Sequence, residues 1–142
     1  MVTRKNLNSN ALISVYDKSY LKKICSTLTK YNIGIISTGA TANKITSLGF
    51  KCKEISDLTK FKEILDGRVK TLHPKIHAGI LARRDQDMEI LQQRGYETID
   101  LVVVNLYPFK ETIAQDCSFD EAIEKIDIGG PTMIRSAAKN FK

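Results

Sequence analysis

Ala11-Leu12-Ile13-Ser14-Val15-Tyr16, closed by the polar pair Asp17-Lys18, opens the segment whose pattern decides the fold. The run is apolar, short and followed by a loop signal, so it reads as a buried strand. Leu21, Ile24, Leu28 and Tyr31 then recur at spacings of three and four, one face of a helix. Ser19 is placed to cap that helix, and Asn32 or Gly34 to end it. Ile33–Ser37 is a second buried strand. Thr38-Gly39-Ala40-Thr41 is a tight turn, Ala42–Leu48 a helix stopped by Gly49, and Cys52–Ile55 a short third strand. Strands that alternate with helices over so short a stretch require a parallel sheet with right-handed crossovers.

Outward from that segment the alternation continues. Phe61–Leu65 reads as a helical turn ahead of the dense run Asp66–His77. Pro74 suits the first position of a helix carrying Ile76, Ile80 and Leu81. Met88–Gln93 is a further helix, ended by Gly95. Leu101–Leu106 is an apolar run without alternation, which predicts a strand buried on both faces. Phe119–Ile126 is amphipathic behind Ser118 as cap, and Pro131–Asn140 forms a last helix. The whole reads as one α/β domain over residues 1–142, three layers α/β/α around a mainly parallel sheet.

Composition narrows the function classes. With 42% hydrophobic and 27% charged residues, the chain is an ordinary globular one. No apolar run approaches the ~20 residues that span a bilayer. The polar stretch Met1–Asn10 lacks the apolar segment of a secretory signal and reads as a disordered lead-in. The three cysteines, Cys25, Cys52 and Cys117, are scattered, as expected in a reducing cytoplasm. A net charge of +6 favours anionic ligands. No zinc-finger spacing or aromatic RNA-binding signature accompanies it, so neither nucleic acid nor membrane is an expected partner.

In an open parallel sheet, ligands sit beyond the carboxyl ends of the strands. Four segments converge there: Ser14-Val15-Tyr16-Asp17-Lys18, Ser37-Thr38-Gly39-Ala40-Thr41, Asn105-Leu106-Tyr107-Pro108-Phe109 and Asp127-Ile128-Gly129-Gly130. Ser37–Thr41 has the parts of a phosphate cradle, namely hydroxyls, a glycine and a helix N-terminus, with Lys18 adding charge; the same residues also make an ordinary helix cap. Asp127–Pro131 joins a carboxylate to two glycines at a helix start, which suits either oxyanion binding or a plain turn. His73 and His77 stand four apart, but no further histidine exists and Pro74 occupies the position where a zinc protease carries glutamate. No metal is expected. Asp66–His77 mixes charge, two histidines and proline without periodicity, as a ligand-facing loop does.

The run Asp66-Gly67-Arg68-Val69-Lys70-Thr71-Leu72-His73-Pro74-Lys75-Ile76-His77, continuing through Ala78–Arg84, closely resembles a signature of the bifunctional purine biosynthesis family, which joins an AICAR transformylase to an IMP cyclohydrolase. The resemblance extends to Ala11–Val15, Ser37–Gly39, Asn105–Phe109 and Asp127–Asn140, in order along essentially the whole chain. It implies a methylglyoxal-synthase-like fold and the activity of the family's N-terminal domain: closure of the purine ring of FAICAR to IMP with loss of water, with no cofactor. It also implies that the domain continues past Lys142, that the transformylase domain is absent, and that the parent protein is a homodimer through that absent domain.

Carried over residue by residue, the resemblance places the phosphate at Ser14, Lys18, Ser37, Gly39 and Thr41, with Val15 and Thr38 also binding substrate. It sets Arg68, Lys70, Thr71, Asn105 and Leu106 along the ribose and base, with Ile128, Gly129 and Gly130 as further substrate-binding residues. Lys70, Tyr107, Asp127 and Lys139 form the implied catalytic group: Asp127 orients the attacking carboxamide, Lys139 moves a proton at the formyl oxygen, and Lys70 and Tyr107 stabilise the charge developing there. Tyr16 stands where the family commonly has serine, and Ala40 where a second glycine is common; Ala40 is compatible only with a negative φ. Two other readings share the cradle: a non-catalytic phosphate- or nucleotide-binding regulatory module of the same fold, and a methylglyoxal synthase. Neither accounts for Gly67–Pro74, Asn105–Phe109 and Asp127–Lys139 together.

Overall fold

A computed structural model describes residues 9–142. Four parallel strands form one sheet: β1 (Asn10–Ser14), β2 (Gly34–Ser37), β3 (Lys53–Glu54) and β4 (Leu101–Val104), in the order β3-β2-β1-β4. Eight helices accompany the sheet among the described residues. They are α1 (Leu21–Lys30), α2 (Gly39–Ser47), α3 (Ile55–Thr59), α4 (Pro74–Leu81), α5 (Met88–Gln93), α6 (Phe109–Ile113), α7 (Phe119–Glu124) and α8 (Gly129–Lys139).

The period of two in β1 and β2 sorts their side chains onto two cores. Ala11, Ile13, Val15 and Ile35 pack with Leu21, Cys25 and Leu28 of α1 and Ile45 of α2. Leu12 and Ile36 point the other way, onto Ile76 and Ile80 of α4, Met133 of α8, and Ile55, Leu58 and Ile99. Helices on both faces of a parallel sheet make the expected three layers. The chain moves outward from β1 through β2 to β3, then returns to place β4 on the opposite side of β1. The sequence of strands therefore reverses between β1 and β4, which opens a crevice at their carboxyl ends.

Several expectations change on contact with the tertiary structure. Tyr31 does not join the buried stripe of α1; it caps the helix and is 66% exposed, while Cys25 fills the gap between Leu21 and Leu28. Ser19 does not cap α1. Tyr20 takes that place, and the Ser19 hydroxyl and N–H donate to the Asp17 carboxylate instead. Phe61–Leu65 is not a helical turn: Ile64 and Val69 pair antiparallel around a tight turn in which Leu65, Asp66 and Gly67 all have positive φ. The expected lead-in Met1–Asn10 falls largely outside the described residues, but Asn10 itself begins β1 and is buried.

β4 is shorter than the apolar run suggests and is only partly buried. Val102 and Val104 pack on one core and Val103 on the other, yet Leu101 remains 43% exposed. The reason is position: β4 is an edge strand, with no further strand beside it among the described residues. α7 forms behind a complete capping box of Ser118 and Glu121, but it buries none of its residues and ends at Glu124 rather than Ile126.

Candidate functional site

A cleft of about 720 Å³ opens at the carboxyl ends of β1 and β4, over the N-termini of α2 and α8. That volume lies in the range of small-molecule sites. All four strand-end segments and the Gly67–Thr71 loop contribute to its walls.

One wall carries a helix N-terminus and a lysine, features that suit an anion. Gly39, the first residue of α2, takes a left-handed φ of 55°, and Ala40 after it has no positive φ, so its side chain is accommodated. Neither α2 nor α8 has an acidic residue in its first turn; the N-cap of α2 makes no side-chain bond to its first N–H groups, whereas the Gly130 N–H of α8 donates to Asp127. The Lys18 ammonium is steadied by donating to the carbonyls of Val15 (3.2 Å) and Tyr16 (3.1 Å). Thr41 donates its hydroxyl to the Val15 carbonyl at 3.0 Å, tying α2 to the end of β1. Asn105 ties β4 to the same loop: its Oδ1 accepts from the N–H groups of Tyr16 (2.6 Å) and Asp17 (3.1 Å), and its Nδ2 donates to the Asp17 carbonyl (2.9 Å).

The same cleft also holds groups suited to moving protons. The Lys70 ammonium lies 3.8 Å from Glu63 and close over the backbones of Gly39 and Gly67. Arg68 is ion-paired to Glu124 of α7, which joins the Asp66–Thr71 loop to the opposite wall. Asp127 Oδ1 accepts from the Gly130 N–H at 2.9 Å, so the carboxylate sits against the start of α8. A Cβ on Gly130 would lie 2.7 Å from both Asp127 Oδ2 and Leu106 Cδ2, and one on Gly129 would lie 2.4 Å from the Thr71 hydroxyl. These approaches require glycine. Tyr107 faces the cleft with its ring against Tyr16, centroids 5.6 Å apart.

The structure therefore brings Ser14, Val15, Lys18, Thr38 and Thr41 to the cleft wall. Arg68, Lys70, Thr71, Asn105, Tyr107 and Asp127 line the same cleft, together with Ile128, Gly129 and Gly130. It does not bring in four others. Ser37 is fully buried and donates its hydroxyl to the Ile13 carbonyl at 2.6 Å, a bond inside the sheet. Gly39 shapes the turn without lining the cavity, and Leu106 packs behind Gly130. Lys139, exposed at the last residue of α8, stands about 15 Å along the helix from Gly129 and outside the cleft. Tyr16, Asp66, Glu124 and Met133 are cleft residues that the sequence reading did not assign. Tyr16 had a signal, being next to Val15 and Lys18; Glu124 had none, because only folding places α7 opposite Arg68.

The two histidines have structural partners. His73 caps α4, its Nδ1 accepting from the Lys75 N–H at 3.1 Å. His77 Nδ1 lies 2.9 Å from the Ser136 hydroxyl of α8, and burial pushes its pKa down against a smaller opposing effect of the Thr71 backbone. Among the described residues no cluster of three histidine, cysteine or acidic side chains is arranged to hold a metal ion. No helix among them is long and apolar enough to cross a membrane.

The α/β/α domain has its cleft at the reversal of strand order, over the N-termini of α2 and α8. The family model of the MGS-like domain matches residues 20–132, and the chain belongs to that family. Among solved structures it is similar to the crystal structure of ForH, with 34% sequence identity and a TM-score of 0.78, covering 94% of this chain and 70% of that one.

Proposed function

We propose that this domain is an IMP cyclohydrolase, closing the purine ring of FAICAR to give IMP and water. The observation that carries the reading is a single cleft lined both by Lys18, Thr38, Thr41 and the α2 N-terminus, which suit a phosphate, and by Lys70, Tyr107 and Asp127, which suit proton transfer. The family likeness of the Asp66–His77 run supports the same assignment. The substrate is a small-molecule nucleotide, and the three free cysteines accord with a cytoplasmic setting.

The carboxamide nitrogen attacks the formyl carbon, forming the new C–N bond and a tetrahedral carbinolamine. Its oxygen takes up a proton and leaves as water as the formamide nitrogen gives up its own proton and the C=N bond forms. The reaction is intramolecular, so positioning already supplies much of the rate. In this cleft Asp127 accepts from the attacking carboxamide, while Lys70 and Tyr107 stabilise the developing oxyanion, helped by N–H groups at the start of α8. Asn105, with its side-chain amide committed to the Tyr16–Asp17 backbone, shapes the ribose region rather than reaching into it.

Supplying FAICAR to the purified chain and following IMP by absorbance tests the reading. Lys18→Ala should raise KM by about tenfold with little change in kcat, as loss of uniform phosphate binding does. Lys70→Ala should lower kcat by about a hundredfold. Well-folded protein that binds IMP without turnover would favour the non-catalytic nucleotide-binding module instead. Lys139→Ala decides whether the end of α8 takes part: an unchanged rate removes Lys139 from the catalytic group, and a hundredfold loss keeps it there.

A further inference from the structure

Tyr16 and Tyr107 come from different strand ends, separated by 91 positions in the chain, and meet at the mouth of the cleft. Their rings are 5.6 Å apart and inclined at 68°, an edge-to-face contact. Both side chains are only half covered, at 50% and 43% exposure, so neither ring is fixed by a surrounding core. The backbones beneath them are fixed. Asn105 binds the Tyr16 and Asp17 N–H groups, Lys18 binds the Tyr16 carbonyl, and Pro108 restricts the backbone of Tyr107. The Lys125 ammonium sits 5.7 Å from the centre of the Tyr107 ring. Tyr107 is thus a half-exposed ring on a rigid stem, oriented by two side-chain contacts, of which Tyr16 is the aromatic one.

Resting on the cyclohydrolase reading, we propose that Tyr16 is a positioning residue for Tyr107: its ring, not its hydroxyl, holds the Tyr107 phenol in the rotamer that faces the cleft. A ring at position 16 stops Tyr107 from swinging into solvent, where its hydroxyl is lost to the site. The role belongs to turnover rather than to binding, because the positive charge this loop carries is the Lys18 ammonium, which is held by backbone carbonyls and not by the Tyr16 ring.

The test uses the full chain with tyrosine ring carbons labelled for NMR. The chain has five tyrosines, so single substitutions assign Tyr107 directly. Tyr16→Ala should move the Tyr107 ring resonances and lower kcat about three- to tenfold, with KM changed less than twofold. Tyr16→Phe should restore both. In a Tyr107→Ala background, Tyr16→Ala should cost nothing further, since its effect passes through the missing ring. Unmoved Tyr107 resonances in Tyr16→Ala, a rate loss that Tyr16→Phe fails to rescue, or a full additive loss in the double variant would each overturn the proposal. If the wild-type chain converts no FAICAR while the Tyr107 resonances still respond to Tyr16, the ring contact stands and the reaction assigned to the cleft falls.

Discussion

Single residues in this cleft are constrained by close approach more than by charge. Gly130 illustrates it. Its N–H donates to Asp127 while its α-carbon is pressed between that carboxylate and Leu106, leaving no room for a methyl group. Gly130→Ala should therefore force Asp127 away from the start of α8. The expected result is a loss of about 1–3 kcal/mol of stability in urea unfolding, from overpacking, together with a larger fall in kcat than in substrate affinity. A variant with normal turnover would show that Asp127 need not be held there. At this scale the sequence was informative about residue type and uninformative about reach. Lys70 and Asp127 were both visible as candidates in their motifs. That Ser37 spends its hydroxyl on the Ile13 carbonyl, and that Lys139 lies at the far end of an eleven-residue helix, follows only from where the backbone goes.

Among the elements, α4 and α8 form the pair on which the site rests. They pack on one another beneath the Leu12 face of the sheet, and α8 carries Gly129 and Gly130 into the cleft. His77 of α4 joins Ser136 of α8 in the neutral form, because burial disfavours the imidazolium. Its folded pKa lies below the ordinary value of 6.5, so the unfolded chain binds the proton more tightly. The contribution is fully present above about pH 6.5 and is lost as the pH falls toward the depressed folded value. Urea unfolding across pH 5 to 8 should show this decline in the wild type and a flatter profile in His77→Gln; parallel profiles would rule out His77 as its source. The helix pattern of α4 was legible from Pro74 and the Ile76–Ile80 spacing. The partner of His77 was not, because Ser136 is 59 positions away.

For the molecule as a whole, the sheet divides two cores, and β1, flanked by β2 and β4, contributes fully buried residues to both. Leu12 is fully buried on the α4–α8 side, with Ala11 and Ile13 fully buried on the other. Leu12→Ala should cost about 2–5 kcal/mol, read as a lower urea midpoint, whereas the same change at exposed Leu65 should cost little. Equal effects at the two positions would contradict the core assignment. The architecture was legible because strand–helix alternation and apolar runs are local properties, dictated by backbone periodicity and burial. Hence β1, β2, α2, α4, α5 and α8 fall close to where their side chains predict them. What local pattern could not decide is how the elements are exposed once assembled. Leu101–Val104 has the composition of a central strand and lies at an edge; α7 has an amphipathic pattern and a complete cap, yet buries no residue. The same limit applies to the cleft. The sequence by itself determined the alternation of strands and helices and the strand-end motifs, because each is written in contiguous residues. The tertiary structure alone decided that Arg68 meets Glu124, that Tyr16 meets Tyr107, and that Lys139 stands apart, because those relations depend on the order of strands and the path of α8.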